Sequence, residues 1–251
     1  MVIGLTGAPA SARAPGKRLA AVAFLSAFAS VALGLAFGNR WLLPALNALS
    51  LYPFYIRLIL HGQRRRAAAL ALLWALFMSQ AVIAATLFFP DRAESTILRG
   101  AEYRDDMFDW IATGEGAESS PSVFLPSHAK EFALFCALAL VSGGAGALFL
   151  GAILLNYMNF YVGALLASSS HPLLAALLAW PPYSIIRVIA YIILATALSE
   201  AFLGILHRRP VNWRKVAKYA AVGAALAILD VLVKILAAPY WAKLLKSASG
   251  L

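Results

Sequence analysis

Four histidines, eleven acids and one cysteine are the side chains best suited to acid–base, thiol or metal chemistry. His61, His128, His171 and His207 are scattered, and none stands three or four residues from another His, Asp or Glu inside an apolar run. A metal or haem site on a helix bundle needs such a pairing, so neither a metal nor a cofactor is expected. His128 and Glu131 are one turn apart, but at the mouth of an apolar run, where they read as a helix-entry pair. Thr113-Gly114-Glu115-Gly116 lacks the Gly-Lys-Ser/Thr ending of a phosphate loop and reads as a turn. No G-x-S-x-G elbow is present for a serine hydrolase. Cys136, alone, excludes an internal disulfide and sits among apolar residues as a small hydrophobe.

The chemistry that remains lies in formal charges embedded in apolar sequence. Arg187, Glu200, Asp230 and Lys234 stand inside such runs, with Lys218 near the start of one. At the centre of a bilayer each costs about 2.5–3.5 kcal/mol on insertion scales, so each is expected to pair or to face the protein interior. Counting 1.5 Å per residue along antiparallel neighbours puts Arg187 and Asp230 at one level. Lys234, four residues after Asp230, shares its helix face. Glu200 falls near the opposite end, where Lys218, Lys215 and Arg214 are its expected partners. Two structural pairs, one near each interface, are favoured over a proton or ion relay, because no carboxylate falls midway.

Composition says what must hold these charges. Of 251 residues, 62% are hydrophobic and 13% charged, against roughly 45–50% and 25% in soluble domains. An ordinary water-soluble enzyme, a disordered chain and a secreted disulfide scaffold are excluded. The net charge of +10 is segregated. Residues 90–131 hold nine of the eleven acids and four basic residues, a net of −5; the remainder carries 17 basic and two acidic residues, a net of +15. Lys and Arg collect in cytoplasmic loops, so the pattern signals membrane topology rather than nucleic-acid binding.

The expected fold is all-α: a polytopic transmembrane bundle of six or seven spans with one extracytoplasmic acidic loop. A spanning helix takes about 20 apolar residues. The expected spans are 19–37, 41–60, 67–89, 132–155, 160–178, 183–206 and 216–236. The first is too long for a signal-peptide core and lacks a closing A-x-A site. Pro44, Pro53 and Arg57 make 41–60 a kinked or interfacial candidate. It is expected to cross, because the basic stretches on either side of 19–60 belong in one compartment. From Phe132 to Ile186 there is no Asp, Glu, Lys or Arg, which fits two spans joined by a hairpin at Asn156–Asn159. Ser168 to Pro172 marks a broken or re-entrant segment. Gly143, Gly144, Gly146, Gly151 and Gly163 fit close helix packing. The organisation is then a cytoplasmic tail 1–18, N-terminal spans 19–89, an acidic loop 90–131, a C-terminal bundle 132–241 and a tail 242–251. The protein is placed in the inner (plasma) membrane, multi-pass, with its N-terminus in the cytoplasm.

Within the acidic loop, Tyr103, Met107 and Trp110 share one helical face and Asp105, Asp106 and Asp109 another. This piece is either a lid on its own bundle or a docking surface. Asn156 and Asn159, at the expected hairpin, either cap free carbonyls, line a polar entrance or join the docking surface.

The order of several segments carries a family resemblance. An outer stretch reads MFDWIATGEG and then FLPSHAKEFALF. GALFLGAILLNYMNFYVGALL follows as a glycine-flanked pair of helices, then the proline-led WPPYSIIRVIAYIILATALSE, and a last helix ends LAAPYW. From about 103 to 241 the chain resembles the stage II sporulation protein M family of integral membrane proteins. It differs in having three expected helices, not one, before the outer segment. It also has Lys234 and Ile235 where the family often has an acid. The resemblance implies a non-enzymatic membrane scaffold.

The expected function is therefore a membrane scaffold or accessory subunit, in contact with the lipid bilayer and with a protein partner or a second copy, and not with nucleic acid. The alternative is a transport protein, such as an ABC-type permease subunit or a small-solute transporter. A lipid-modifying enzyme ranks last, since Arg187, Asp230 and Tyr183 are its only clustered polar set.

Overall fold

The computed structural model describes residues 15–208 and 210–250. Among them are ten helices and no strand: α1 (Pro15–Phe37), α2 (Leu42–Leu60), α3 (Arg64–Phe88), α4 (Pro90–Thr96), α5 (Gly100–Thr113), α6 (Pro121–Ser142), α7 (Ala145–Ser168), α8 (Pro172–Leu178), α9 (Pro182–Leu206) and α10 (Trp213–Ser249). Seven of them, α1, α2, α3, α6, α7, α9 and α10, are long and apolar enough to cross a bilayer. The chain is a polytopic helical membrane bundle.

The turns are short and their chemistry is local. Gly38 and Gly62 adopt positive φ after α1 and α2. The side chain of Asn39 accepts from the N–H groups of Trp41 and Leu42, opening α2. Arg92 donates from Nε to the Leu35 carbonyl and from Nη2 to that of Ala36. It thereby satisfies carbonyls that the end of α1 leaves free, where a cation also suits the helix dipole.

The first of two corrections to the sequence expectation concerns the middle of the chain. The turn between the fourth and fifth spans is at Gly143-Gly144, both with positive φ, not at Asn156–Asn159. The two asparagines lie inside α7 and are buried. Consequently α6 begins at Pro121 and carries His128, Lys130 and Glu131 in its first turns. The charge-free run misled the placement because α6 carries ionisable residues in its first half, two of which, His128 and Glu131, meet partners described below. The glycines at 143 and 144 serve the turn, which sits against Leu203 and Ser199 of α9. Glycine fits because a left-handed residue with a Cβ is strained.

The second difference is at the far end of α10. This helix runs 37 residues without a break to Ser249, so 242–250 is not a loose tail. Ala242, Leu245 and Ala248 are buried. With α4, α5 and α8, the last turns of α10 form a cap over one end of the spans. We call this the acidic end and the opposite one the basic end. Ser168 closes α7, and the short α8 packs against α7 and α10 within this cap.

Spans pack closely through small residues. A Cβ on Gly163 would lie 2.6 Å from the Cβ of Thr86, and one on Gly223 would lie 3.0 Å from the Cβ of Leu194. Buried amides link three spans: Asn156 donates to Asn47 Oδ1 (3.0 Å), and Asn47 donates to Ser30 Oγ (2.8 Å). Such bonds between membrane helices contribute about 0.6–2 kcal/mol each.

Gly144→Ala should lower the melting temperature in detergent. The left-handed backbone alone costs about 1–3 kcal/mol for a non-glycine residue, and its Cβ would press on Ser199 and Tyr55. Gly151→Ala, where a Cβ meets nothing within 4 Å, should leave stability unchanged or raise it.

Candidate functional site

The densest polar cluster lies just beneath the cap, between α6, α9 and α10. Asp230 is fully buried. Its carboxylate receives Nε of Arg187 at 2.8 Å on one oxygen and Nη2 at 3.2 Å on the other. This fork is the geometry that makes arginine–carboxylate pairs strong. His128 Nε2 from α6 lies 3.3 Å from Asp230 Oδ2. The contact is misaligned for a hydrogen bond, since this nitrogen has no such partner among the described residues. One helix turn on, Glu131 Oε1 accepts from the Tyr191 hydroxyl at 3.4 Å.

Lys234 is the hinge between this cluster and the cap. It is only 4% exposed. Its ammonium meets Glu118 Oε2 at 2.9 Å and sits 4.4 Å from the centre of the Phe124 ring and 5.8 Å from that of Tyr183. A desolvated cation over an aromatic face gains up to about 2 kcal/mol. Glu118 belongs to the segment between α5 and α6. It folds down onto α10 and brings a carboxylate to a lysine that would otherwise be isolated.

The cap itself is built on an amphipathic helix. Met107, Trp110 and Ile111 of α5 are buried with Tyr161, Leu165, Tyr183 and Leu245. Tyr103 packs on Tyr157, ring centres 4.7 Å apart, and burial holds its phenol well above the ordinary pKa. Trp110 Nε1 donates to Ser119 Oγ at 2.6 Å. Lys246 Nζ donates to the Ala112 carbonyl at 2.6 Å, securing the end of α5 to α10. Glu102, Asp105, Asp106 and Asp109 are exposed along the other face. Arg99 pairs with Glu102, and Arg104 bridges Glu94 and Asp105. These carboxylates hold both guanidinium pKa values above the ordinary one. Asp106 and Asp109 form no ion pair among the described residues.

No family model, curated protein or solved structure matches this chain significantly. What the arrangement does must follow from its own geometry. The structure brings Arg187, Asp230 and Lys234 into one cluster. Glu200 lies elsewhere, at the basic end. Its partner is Arg64 of α3, at 2.8 Å, and not Lys218, Lys215 or Arg214. Lys218 is exposed. The expectation considered only the helix that follows α9 in sequence, whereas α3 is also its neighbour in the bundle. The docking assignment needs a parallel correction. Met107 and Trp110 are buried in the protein's own core, as are Asn156 and Asn159, so none offers a surface. Only Asp105, Asp106 and Asp109 of that set are exposed.

The sequence reading missed Glu118, Arg64 and the role of His128. Glu118 carried no signal in spacing, because it lies in a turn far in sequence from Lys234. Among the described residues, no three His, Cys, Asp or Glu side chains converge as a metal site would require.

Removing one member of a buried pair costs about 3–5 kcal/mol, because the remaining charge is left uncompensated. Asp230→Asn should therefore unfold at markedly lower denaturant or temperature than the parent protein. Glu118→Gln should speed proteolysis between residues 113 and 121 while the spans stay intact. Adding Lys234→Met to Glu118→Gln should restore part of that protection, read as a double-mutant cycle.

Proposed function

We propose that the protein is a non-enzymatic membrane scaffold or accessory subunit that docks a partner on the exposed face of α5. One observation carries the reading: α5 is fixed rigidly from below while a row of carboxylates points outward. Its apolar face is buried in the bundle, and the segment that follows it is fastened by Glu118 to Lys234. Glu102, Asp106 and Asp109 recur at helical spacing along the exposed side. A preformed acidic ridge presents its charges without the ordering cost of a flexible loop. Its complement is a basic segment of a partner protein.

Charge distribution supports placing this ridge outside the cytoplasm. The basic end holds Arg64, Arg65, Arg66, Arg214 and Lys215, and such residues favour the cytoplasmic side. That orientation puts the N-terminus inside and the cap in an extracytoplasmic space. The resemblance to the stage II sporulation protein M family points to the same general role.

A transport reading draws on a cleft of about 410 Å³ bordered by α3, α7 and α9, with Ser79, Asn159 and Ser184 among its lining. The rest of that lining is mainly apolar, and the ionisable cluster under the cap does not continue to the basic end. The scaffold reading is accordingly preferred.

A photo-crosslinking residue at position 106 or 109, in native membranes, should give one discrete protein adduct from both positions. Glu102→Lys with the neighbouring Asp105→Lys should abolish it. If neither position crosslinks to protein in cells where the protein is functional, the docking role is wrong. Solute flux through vesicles containing only this chain would favour transport instead.

A further inference from the structure

The basic end contains a second polar feature, unconnected with the cap. Both α3 and α10 pack on α9, leaving a cleft of about 530 Å³ between their first turns. Arg64, Arg65, Arg66, Lys215, Lys218 and Tyr219 line it. Five cations from two helices distant in sequence thus converge on one space. The neighbouring carboxylate, Glu200, is already engaged by Nη2 of Arg64 at 2.8 Å. Arg64 Nη1 is shielded from solvent and has no hydrogen-bond partner among the described residues. The same guanidinium lies 5.8 Å from the centre of the Tyr219 ring, which helps to fix it.

Helix electrostatics make the arrangement costly as it stands. A helix N-terminus carries partial positive charge and favours anions. Neither α3 nor α10 has an acid in its first turn. Three arginines open α3, and Arg214 with Lys215 open α10. No side chain caps α3. An anion in the cleft would offset both helix ends and the four cations that Glu200 does not pair with.

We propose that this cleft binds the phosphate headgroup of an anionic phospholipid. The continuation of α10 identifies lipid as the source of the phosphate. Lys215, Lys218, Val222, Ala225 and Leu229 recur at three- and four-residue spacings and all are exposed. They form one stripe running from the cleft along the apolar surface. A phosphate held by the lysines leaves its acyl chains lying on Val222 and Leu229. Juxtamembrane Lys and Arg contribute about 1 kcal/mol each to anionic lipid binding, so several around one headgroup give selective retention.

The test uses the full chain in phosphatidylcholine nanodiscs containing a minor fraction of phosphatidylglycerol, with retained lipid read by native mass spectrometry. The parent protein should enrich phosphatidylglycerol about tenfold or more. The variant Arg65→Gln/Lys215→Gln/Lys218→Gln, altered only at exposed positions, should lose that enrichment. Lys17→Gln/Arg18→Gln/Arg57→Gln removes equal charge from the same end outside the cleft and should keep it. A milder Lys215→Gln/Lys218→Gln variant should fall in between, and it stands in if the triple variant melts early. Equal loss in the control variant would overturn the proposal, because diffuse charge would then suffice. So would undiminished enrichment in the cleft variants. Displacement of the phosphatidylglycerol by inorganic phosphate or ATP would also overturn it, by assigning the cleft to a soluble phosphate.

Discussion

A charge removed from water must be matched, and the architecture of this protein follows from that requirement. Asp230 is fully buried and Lys234 nearly so, on one face of one helix. Each is answered from a different place: Asp230 by Arg187 of α9, and Lys234 by Glu118 of the segment that enters α6. The desolvation cost of either ion alone exceeds that of most apolar losses. Spans and cap are therefore not independent layers. The ion pairs require α9, α10 and the chain after α5 to meet in one register, and the aromatic faces of Phe124 and Tyr183 close the site around the ammonium.

Away from that cluster, lipid supplies little drive for helices to associate, and fit takes its place. Gly163 admits Thr86, and Gly223 admits Leu194. The amide chain through Ser30, Asn47 and Asn156 then fixes how α1, α2 and α7 are rotated. At the basic end, Arg64 and Glu200 join α3 to α9. Polar contacts thus join three different sets of helices.

The pairing of Arg187 with Asp230 was legible because residue counts give depth, and depth matches charges on helices adjacent in sequence. The same reasoning failed for Glu200, whose partner comes from α3, far back in the chain. Counting along one helix carries no information about which distant helix lies beside it. The turn at Gly143-Gly144 was hidden for a related reason. Charged residues appeared to mark the edge of a span, yet His128 and Glu131 are tolerated within α6 because Asp230 and Tyr191 meet them. The amphipathic face of α5 was visible from spacing alone. Whether its apolar side faced its own bundle or a partner depended on the length of α10, and nothing in the last ten residues distinguishes a continued helix from a tail.

That length has a mechanical consequence. At 37 residues, α10 is about 55 Å long and reaches from the arginine-rich surface to the far edge of the cap. Pro239 interrupts its backbone ladder, since proline has no N–H to give to the carbonyl of Ile235. The segment before it rides with the spans, and the segment after it grips α5 and α8. One continuous helix thus ties the two faces of the bundle together, with a single backbone hydrogen bond unmade where it passes from the spans into the cap.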